Sequence, residues 1–269
     1  MVSKKRKKIG LALGSGGFRG FAHIGVINAL KKHNIPIDFI AGTSIGSLVG
    51  AYFSLHKETE SLLAKVDSLG KRNIFQFMDK SSITGLLSQD KISKHLDPIF
   101  SNKTFNSTKI PLQIMATNLK NGKLKKINKG SLKSAVQSSC AVPLIFNPVK
   151  KTNEILVDGA LCEPLPIMPL YELGADYVIS VNLYHKNEFT DKRFNLAHTA
   201  LRSVRIILYN YSQDKAKQAD ININPDLSKQ VIKAGLKTIF SKKLAQEAIT
   251  IGEKTAARKI KAIKLAISS

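Results

Sequence analysis

The sequence predicts an α/β fold on a mostly parallel sheet, and three observations carry that expectation. Strand-like apolar runs alternate with helix-spaced segments over the first 55 residues, as a parallel sheet with covering helices requires. The turn Gly42-Thr43-Ser44-Ile45-Gly46 joins the apolar run Phe39-Ile40-Ala41 to a segment of helical character. One unit earlier, Gly14-Ser15-Gly16-Gly17-Phe18-Arg19-Gly20 directly follows the apolar run Ile9-Gly10-Leu11-Ala12-Leu13.

Residues 9–13 read as a strand and 20–33 as a helix, with Phe21, Ile24, Ile27 and Leu30 at helical spacing. Residues 37–41 form the next strand and 45–55 the next helix. Residues 57–110 hold mixed helical segments broken by Gly70, Ser81-Ser82 and Gly85, and carry Phe75, Phe77 and Met78. They read either as peripheral helices or as a lid over a substrate entrance. Residues 111–118 return to a strand, and Asn121-Gly122 offers a tight hairpin turn into 123–128. A helix over 131–139 leads through Val142-Pro143 to a strand at 155–157, which ends in Asp158-Gly159-Ala160. A helix near 167–173 and the turn Gly174-Ala175-Asp176 precede a strand at 177–183. Two helical stretches and a short strand over 220–224 follow.

Residues 241–267 predict a basic amphipathic helix, with Ile249, Ala256, Ile260, Ile263 and Ile267 on one face. Arg258, Lys259, Lys261 and Lys264 crowd the remainder. Such a face ordinarily covers the core of its own domain. The alternative is that it enters the headgroup boundary of an anionic membrane. The chain thus divides into a basic arm (1–8), one α/β domain (9–240) and the basic helix (241–269) packed on that domain.

Of 269 residues, 43% are hydrophobic and 23% charged, the balance of an ordinary globular enzyme. No run approaches the length of a membrane span, and Lys4-Lys5-Arg6-Lys7-Lys8 leads into glycine-broken sequence, unlike a signal peptide. Two cysteines, Cys140 and Cys162, make neither a disulfide framework nor a metal cluster. A cytoplasmic setting is expected. The outlier is charge: 42 Lys and Arg against 19 Asp and Glu, formally +23. Either a general lysine and asparagine bias or a polyanionic partner accounts for it. Nucleic acid is not the partner expected, because zinc-finger spacing and aromatic-basic strand motifs are absent. An anionic phospholipid surface fits the same field.

Gly-x-Ser-x-Gly at a strand-to-helix turn is the setting of a nucleophile elbow, in which the serine hydroxyl projects from a sharp bend. Ser44 as a mere helix cap is the plain alternative. The glycine-rich loop fails as a dinucleotide site, because Arg19 stands where the third glycine belongs and Asp38 precedes its strand. It also lacks the Gly-Lys-Ser/Thr of a P-loop. What remains is a flexible turn whose N–H groups, at a helix N-terminus, converge on a developing anion. Two bases are open: His185 through a Ser44…Asp158…His185 triad, or Asp158 alone. Asp158-Gly159 also reads as an ordinary turn. His23, beside the apolar face of its helix, reads as a packed residue.

Taken together, four blocks resemble the patatin-like phospholipases in their bacterial form. They are Gly16-Gly17-Phe18-Arg19-Gly20 with Ala22-His23-Ile24-Gly25-Val26; Ala41-Gly42-Thr43-Ser44-Ile45-Gly46-Ser47; Ser138-Ser139-Cys140-Ala141-Val142-Pro143; and Val157-Asp158-Gly159-Ala160. Gly174-Ala175-Asp176 also fits, and the resemblance covers about residues 9–184 in order. It implies a three-layer α/β/α sandwich and hydrolysis of phospholipid or lysophospholipid acyl esters through a Ser-Asp dyad and an acyl-enzyme. By position Ser44 is then the nucleophile and Asp158 the base. The oxyanion hole is Gly16, Gly17, Phe18 and Arg19, and His23 is structural. No metal or cofactor is implied, and the enzyme is expected to work at the membrane periphery. Ser15 and Ala160 stand where many members have glycine, and past residue 185 the resemblance fades. Rival readings are a general carboxylesterase or lipase with the same residues, and a catalytically idle lipid- or nucleic-acid-binding protein.

Overall fold

A computed structural model describes residues 6–62, 64–65, 89–143, 145–190, 196–233 and 242–268. Strands β1 (Ile9–Leu13), β2 (Phe39–Thr43), β3 (Leu112–Asn118), β7 (Tyr177–Val181) and β8 (Ile221–Ile223) pair in parallel, in the order β3-β2-β1-β7-β8. An antiparallel annex completes the sheet: β4 (Lys123–Ile127) and β6 (Ile155–Asp158) pair with β3, and β5 (Val149–Lys150) pairs with β6. The parallel core follows from buried runs rich in Ile, Val and Leu, covered on both faces.

The helices are α1 (Phe21–Lys32), α2 (Ile45–His56), α3 (Gln89–Phe100), α4 (Leu132–Ser139), α5 (Met168–Glu172), α6 (Leu196–Ala216), α7 (Ser228–Lys233), α8 (Lys242–Ala257) and α9 (Ile260–Ser268). Alternate strand residues separate two cores. Ile9, Leu11, Leu13, Ile40, Leu112, Ile114, Ile179 and Val181 face α1, α2, α4 and α8. Ala12, Ala41, Met115 and Val178 face Leu170 of α5 and Ala216 of α6. Helix α5 presses close to the second face: a Cβ on Gly10 would sit 3.0 Å from Leu170 Cβ. The result is a central sheet flanked by helices on both sides, as predicted.

Several boundaries move. The second strand lies at 39–43, two residues later than the spacing implies, and runs directly into the elbow at Ser44. Asp38, the acid a nucleotide site would have needed, instead takes Arg6 through two hydrogen bonds of 2.7 and 2.6 Å and accepts the Ile9 N–H at 2.7 Å. Arg6 holds its carboxyl below the usual range. The lid alternative for 57–110 rested largely on residues 66–88, which lie outside the described residues.

The basic tail is two helices, not one. The break falls at Arg258-Lys259, where the Lys259 N–H bonds the Ala256 carbonyl at 2.8 Å. Its apolar face is occupied: Ile249, Ala256, Ile260 and Ile263 are buried in the first core. Helix α8 crosses α1 at two glycines. A Cβ on Gly25 would sit 1.9 Å from the Ile249 carbonyl oxygen, and one on Gly252 would sit 2.2 Å from that of Ala22. The isoleucine face is therefore unavailable for insertion into a membrane. Among the described residues no helix is long and apolar enough to cross a membrane.

Gly25→Ala should lower stability although alanine favours helices. Its methyl drives α1 from α8, and such overpacking costs about 1–3 kcal/mol. Urea unfolding at neutral pH measures it, and a mutant as stable as the parent would mean that the two backbones do not meet there.

Candidate active site

The site is assembled by the register of β3. Met115 pairs with Thr43 of β2, and the next residue, Ala116, pairs with Asp158 of β6. Strand β4 pairs with β3 from Ile114 to Asn118, so β2 and β6 share the opposite edge and meet head to head. The ends of the two strands deliver Ser44 and Asp158 to one point.

Ser44 has φ +55° and ψ −125°, a conformation outside the helical and strand regions. A non-glycine residue held there costs on the order of 1–3 kcal/mol and persists only where its surroundings enforce it. Here the Ser44 N–H donates to Ser139 Oγ at 2.8 Å, and that hydroxyl donates to the Met115 carbonyl at 2.6 Å. The Ser44 carbonyl accepts from the Ser47 N–H at 2.8 Å and the Ser47 hydroxyl at 2.6 Å. Gly46 backs onto β1, where a Cβ would sit 2.1 Å from the Leu13 carbonyl oxygen. Only glycine lets the elbow approach that closely.

The Ser44 hydroxyl does not cap α2. It donates to Asp158 Oδ2 at 2.6 Å, while Asp158 Oδ1 accepts the Ala160 N–H at 2.8 Å. The carboxylate therefore makes the expected turn and holds the serine at once. Its backbone is fixed by its N–H to the Ala141 carbonyl at 2.9 Å and by the Thr117 hydroxyl on its carbonyl at 2.9 Å. Both side chains are buried. Burial pushes the Asp158 carboxyl up to about 6, against the two hydrogen bonds that favour its ionised form. Cys140 lies beside this pair, its sulfur 4.0 Å from Ser47 Oγ. Burial, then the Asp158 charge, push its thiol up to about 12, so it stays protonated and offers no competing nucleophile.

The glycine-rich loop leaves β1 beside the elbow, since Leu13 pairs with Gly42. Gly17 is exposed at φ +59° with open space where a side chain would stand, and a 3-10 turn over Gly17–Gly20 runs into α1. Arg19, the fourth residue of the expected oxyanion hole, has its guanidinium turned to the loop's own backbone and to Tyr184. It is buried, its Nε donates to the Gly16 carbonyl at 2.8 Å, and its guanidinium carbon lies 4.5 Å from the Tyr184 ring centroid. Ser15 Oγ and Tyr184 Oη are hydrogen-bonded at 3.2 Å, so Tyr184 braces the loop from beneath. His23 is fully buried, and its Nε2 bonds the Gly14 carbonyl at 2.8 Å. A carbonyl only accepts, so Nε2 carries the hydrogen. Burial lowers His23 to about 4, which keeps it neutral.

His185 is elsewhere in its contacts. Its Nδ1 accepts the Asn187 N–H at 3.4 Å and lies 3.5 Å from Asp226 Oδ1. The Ser44 hydroxyl and the Asp158 carboxylate meet directly, with no imidazole between them. Among the described residues no group of His, Cys, Asp and Glu is arranged to hold a metal. Two contributors had no role assigned from the sequence. Ser139 was visible inside the block Ser138–Pro143, and Ser47 in the elbow block, but nothing in their spacing announced hydrogen bonds to the serine backbone.

The buried acid has a stability signature. A carboxyl titrating near 6 when folded, against about 4 in an unfolded chain, binds its proton more tightly in the native state. Stability therefore falls as pH rises through that window, by on the order of 2–3 kcal/mol for this group alone. Asp158→Asn keeps an acceptor for Ala160 and carries no charge. It should unfold at higher urea than the parent at pH 8, with the difference gone by pH 4. A mutant less stable than the parent at pH 8 would contradict the burial argument.

Comparison with known proteins gives the family. The family model described as Patatin-like phospholipase matches residues 11–171. An uncharacterized NTE family protein of Mycobacterium tuberculosis is 36% identical over 177 residues, which are 65% of this chain and 49% of that protein. Lysophospholipase NTE1 of Meyerozyma guilliermondii is 28% identical over 179 residues, 65% of this chain and 12% of that one. The chain thus spans about half the length of the mycobacterial relative and far less of the yeast one. Among solved structures, VipD from Legionella pneumophila superposes with a TM-score of 0.61 at 12% identity, covering 96% of this chain and 67% of that one, a likeness of fold. A family match that takes in the glycine loop, Ser44 and Asp158 alike makes this chain a member of the patatin-like phospholipases.

Proposed function

We propose that this chain is a lipid acyl hydrolase that cleaves fatty-acyl esters of phospholipids or lysophospholipids through a Ser44–Asp158 dyad. The observation that carries this reading is the 2.6 Å hydrogen bond from the Ser44 hydroxyl to a buried carboxylate that caps its own turn with the other oxygen. The family and the name of the yeast relative supply the substrate class.

In this mechanism Asp158 Oδ2 takes the hydroxyl proton as Ser44 Oγ attacks the ester carbonyl carbon. A carboxylate raised toward 6 is a stronger base than a solvated one, and still ionised at neutral pH. The carbonyl π electrons move to oxygen, and the anion lies against the N–H groups of the loop at Gly16, Gly17 and Phe18. Arg19 serves that anion by holding the Gly16 carbonyl, which turns the peptide plane, and not by presenting its charge. Collapse breaks the bond to the alcohol, whose oxygen takes the proton from Asp158. Water then attacks the acyl-enzyme, Asp158 accepts its proton, and the fatty acid leaves as Ser44 regains a hydrogen. The strained φ of Ser44 keeps the hydroxyl on this path through both steps.

Ser44→Ala should lower kcat on a short-chain ester by roughly a thousandfold or more, with Asp158→Asn close behind. His185→Ala should keep its rate within about threefold. For the parent enzyme kcat/KM should fall below pH 6, as protonation of Asp158 removes the acceptor. Substrates compared at equal concentration separate the lipid hydrolase from a general esterase: a long-chain lysophospholipid should be turned over with the higher kcat/KM. Normal turnover by Ser44→Ala, or a collapse in His185→Ala with an unchanged circular dichroism spectrum, would refute the dyad.

A further inference from the structure

Cys162, four residues past Asp158, joins three elements at the edge of the site. Its thiol donates to the Gly122 carbonyl at 3.2 Å, which ties it to the β3–β4 turn. Its own carbonyl accepts the Tyr211 hydroxyl at 2.8 Å, which ties it to α6. One residue on, Glu163 pairs with Lys215 of the same helix at 2.7 Å.

Each of these elements presents an aliphatic side chain to solvent. Leu119 in the hairpin is 53% exposed, Leu161 beside Cys162 is 44% exposed, and Ile207 of α6 is 65% exposed. The α6 residue is informative because of its stripe. Val204, Ile207, Tyr211 and Lys215 follow one another at spacings of three and four, so they share one side of the helix. The C-terminal half of that stripe is fastened to residues 162 and 163. The N-terminal half, about 5–10 Å further along, carries Val204 and Ile207, which are 39% and 65% exposed. Exposed aliphatic groups gathered from separate elements mark an interaction face.

The charge around this face selects its occupant. Between Asn118 and Asn128 the hairpin carries four lysines and no carboxylate. Lys125 and Lys126 are paired with Glu154 and Glu172, while Lys120 and Lys123 are exposed at the tip beside Leu119. The whole chain carries a formal charge of +23. We propose that the face formed by Leu119, Leu161, Val204 and Ile207, with Lys120 and Lys123, docks on an anionic phospholipid bilayer, the aliphatic groups entering the headgroup boundary and the lysines meeting phosphate. Lysines near such a surface and shallow aliphatic burial add together. The proposal rests on the lipid-hydrolase reading for its purpose, to bring the Asp158 turn to the membrane, but not for its measurement.

The test is co-sedimentation of the full chain with vesicles of phosphatidylcholine containing one-quarter phosphatidylglycerol, against vesicles of phosphatidylcholine alone. The parent should bind the anionic vesicles preferentially and lose binding as salt rises. Leu119→Ser with Ile207→Ser, and separately Lys120→Glu with Lys123→Glu, should each weaken binding by on the order of tenfold or more. Their turnover of a soluble short-chain ester should stay within about twofold of the parent. Lys261→Glu with Lys264→Glu makes the same charge change on α9 and should weaken binding much less. Equal loss from both lysine pairs would show that overall charge acts without this face, and would overturn the proposal. So would equal binding to both vesicles, or a dimer in solution that Ile207→Ser dissociates, which would make a second copy the occupant. If the hydrolase reading alone were wrong, ester turnover would be missing from the parent while the difference in vesicle binding remained.

Discussion

Everything at this site depends on one step in the register of β3, where Met115 and Ala116 take their partners from different strands. A parallel strand reaches Met115 from one direction and an antiparallel strand reaches Ala116 from the other, each ending as it arrives. Two residues 114 positions apart in sequence thereby become hydrogen-bond partners without a loop to carry either of them. A slip of one residue would turn every side chain of the slipped strand to the opposite face. The antiparallel annex is thus a positioning device as much as an edge of the sheet. The Ser139 hydroxyl reinforces it by bridging the Ser44 N–H to the Met115 carbonyl.

That geometry sets the electrostatics. Among the described residues the Asp158 carboxylate accepts two hydrogen bonds, from Ser44 and Ala160, and it is buried. The stabilisation it loses relative to solvent is what raises its proton affinity. A lone carboxylate is a weak base for a hydroxyl in water, and this environment shifts it toward the range where a base can act at neutral pH. Strain at Ser44 and a desolvated acid both oppose folding. The elbow and the α1–α8 crossing are both closely packed at glycines.

Much of this was readable in the chain. Strand-helix alternation gave the parallel core, because buried apolar runs and amphipathic segments differ in period. The glycines around Ser44 gave the elbow, because only a residue without Cβ tolerates that approach to β1. The antiparallel insertion was half legible: Asn121-Gly122 signalled its hairpin, but nothing local indicates that β6 will share an edge with β2. Arg19 was legible as a residue of the glycine-rich loop, but its contacts were not, because sequence shows a cation near a loop and not the Tyr184 ring it lies against. The basic tail was read as one helix. Its periodicity is continuous through Arg258-Lys259, and the break reflects how α9 folds back on the body. The roles of Ser139 and Ser47 lie in backbone hydrogen bonds, which leave no pattern in composition or spacing.

The most direct test of the Ser44–Asp158 account is labelling by a fluorophosphonate at a series of pH values, with the modified peptide mapped by mass spectrometry. The account predicts a single adduct on Ser44, formed at a rate that falls as pH drops through about 6 and that is small at every pH in Asp158→Asn. An adduct on another serine, or labelling of Ser44 in Asp158→Asn at the parent's rate, would contradict it.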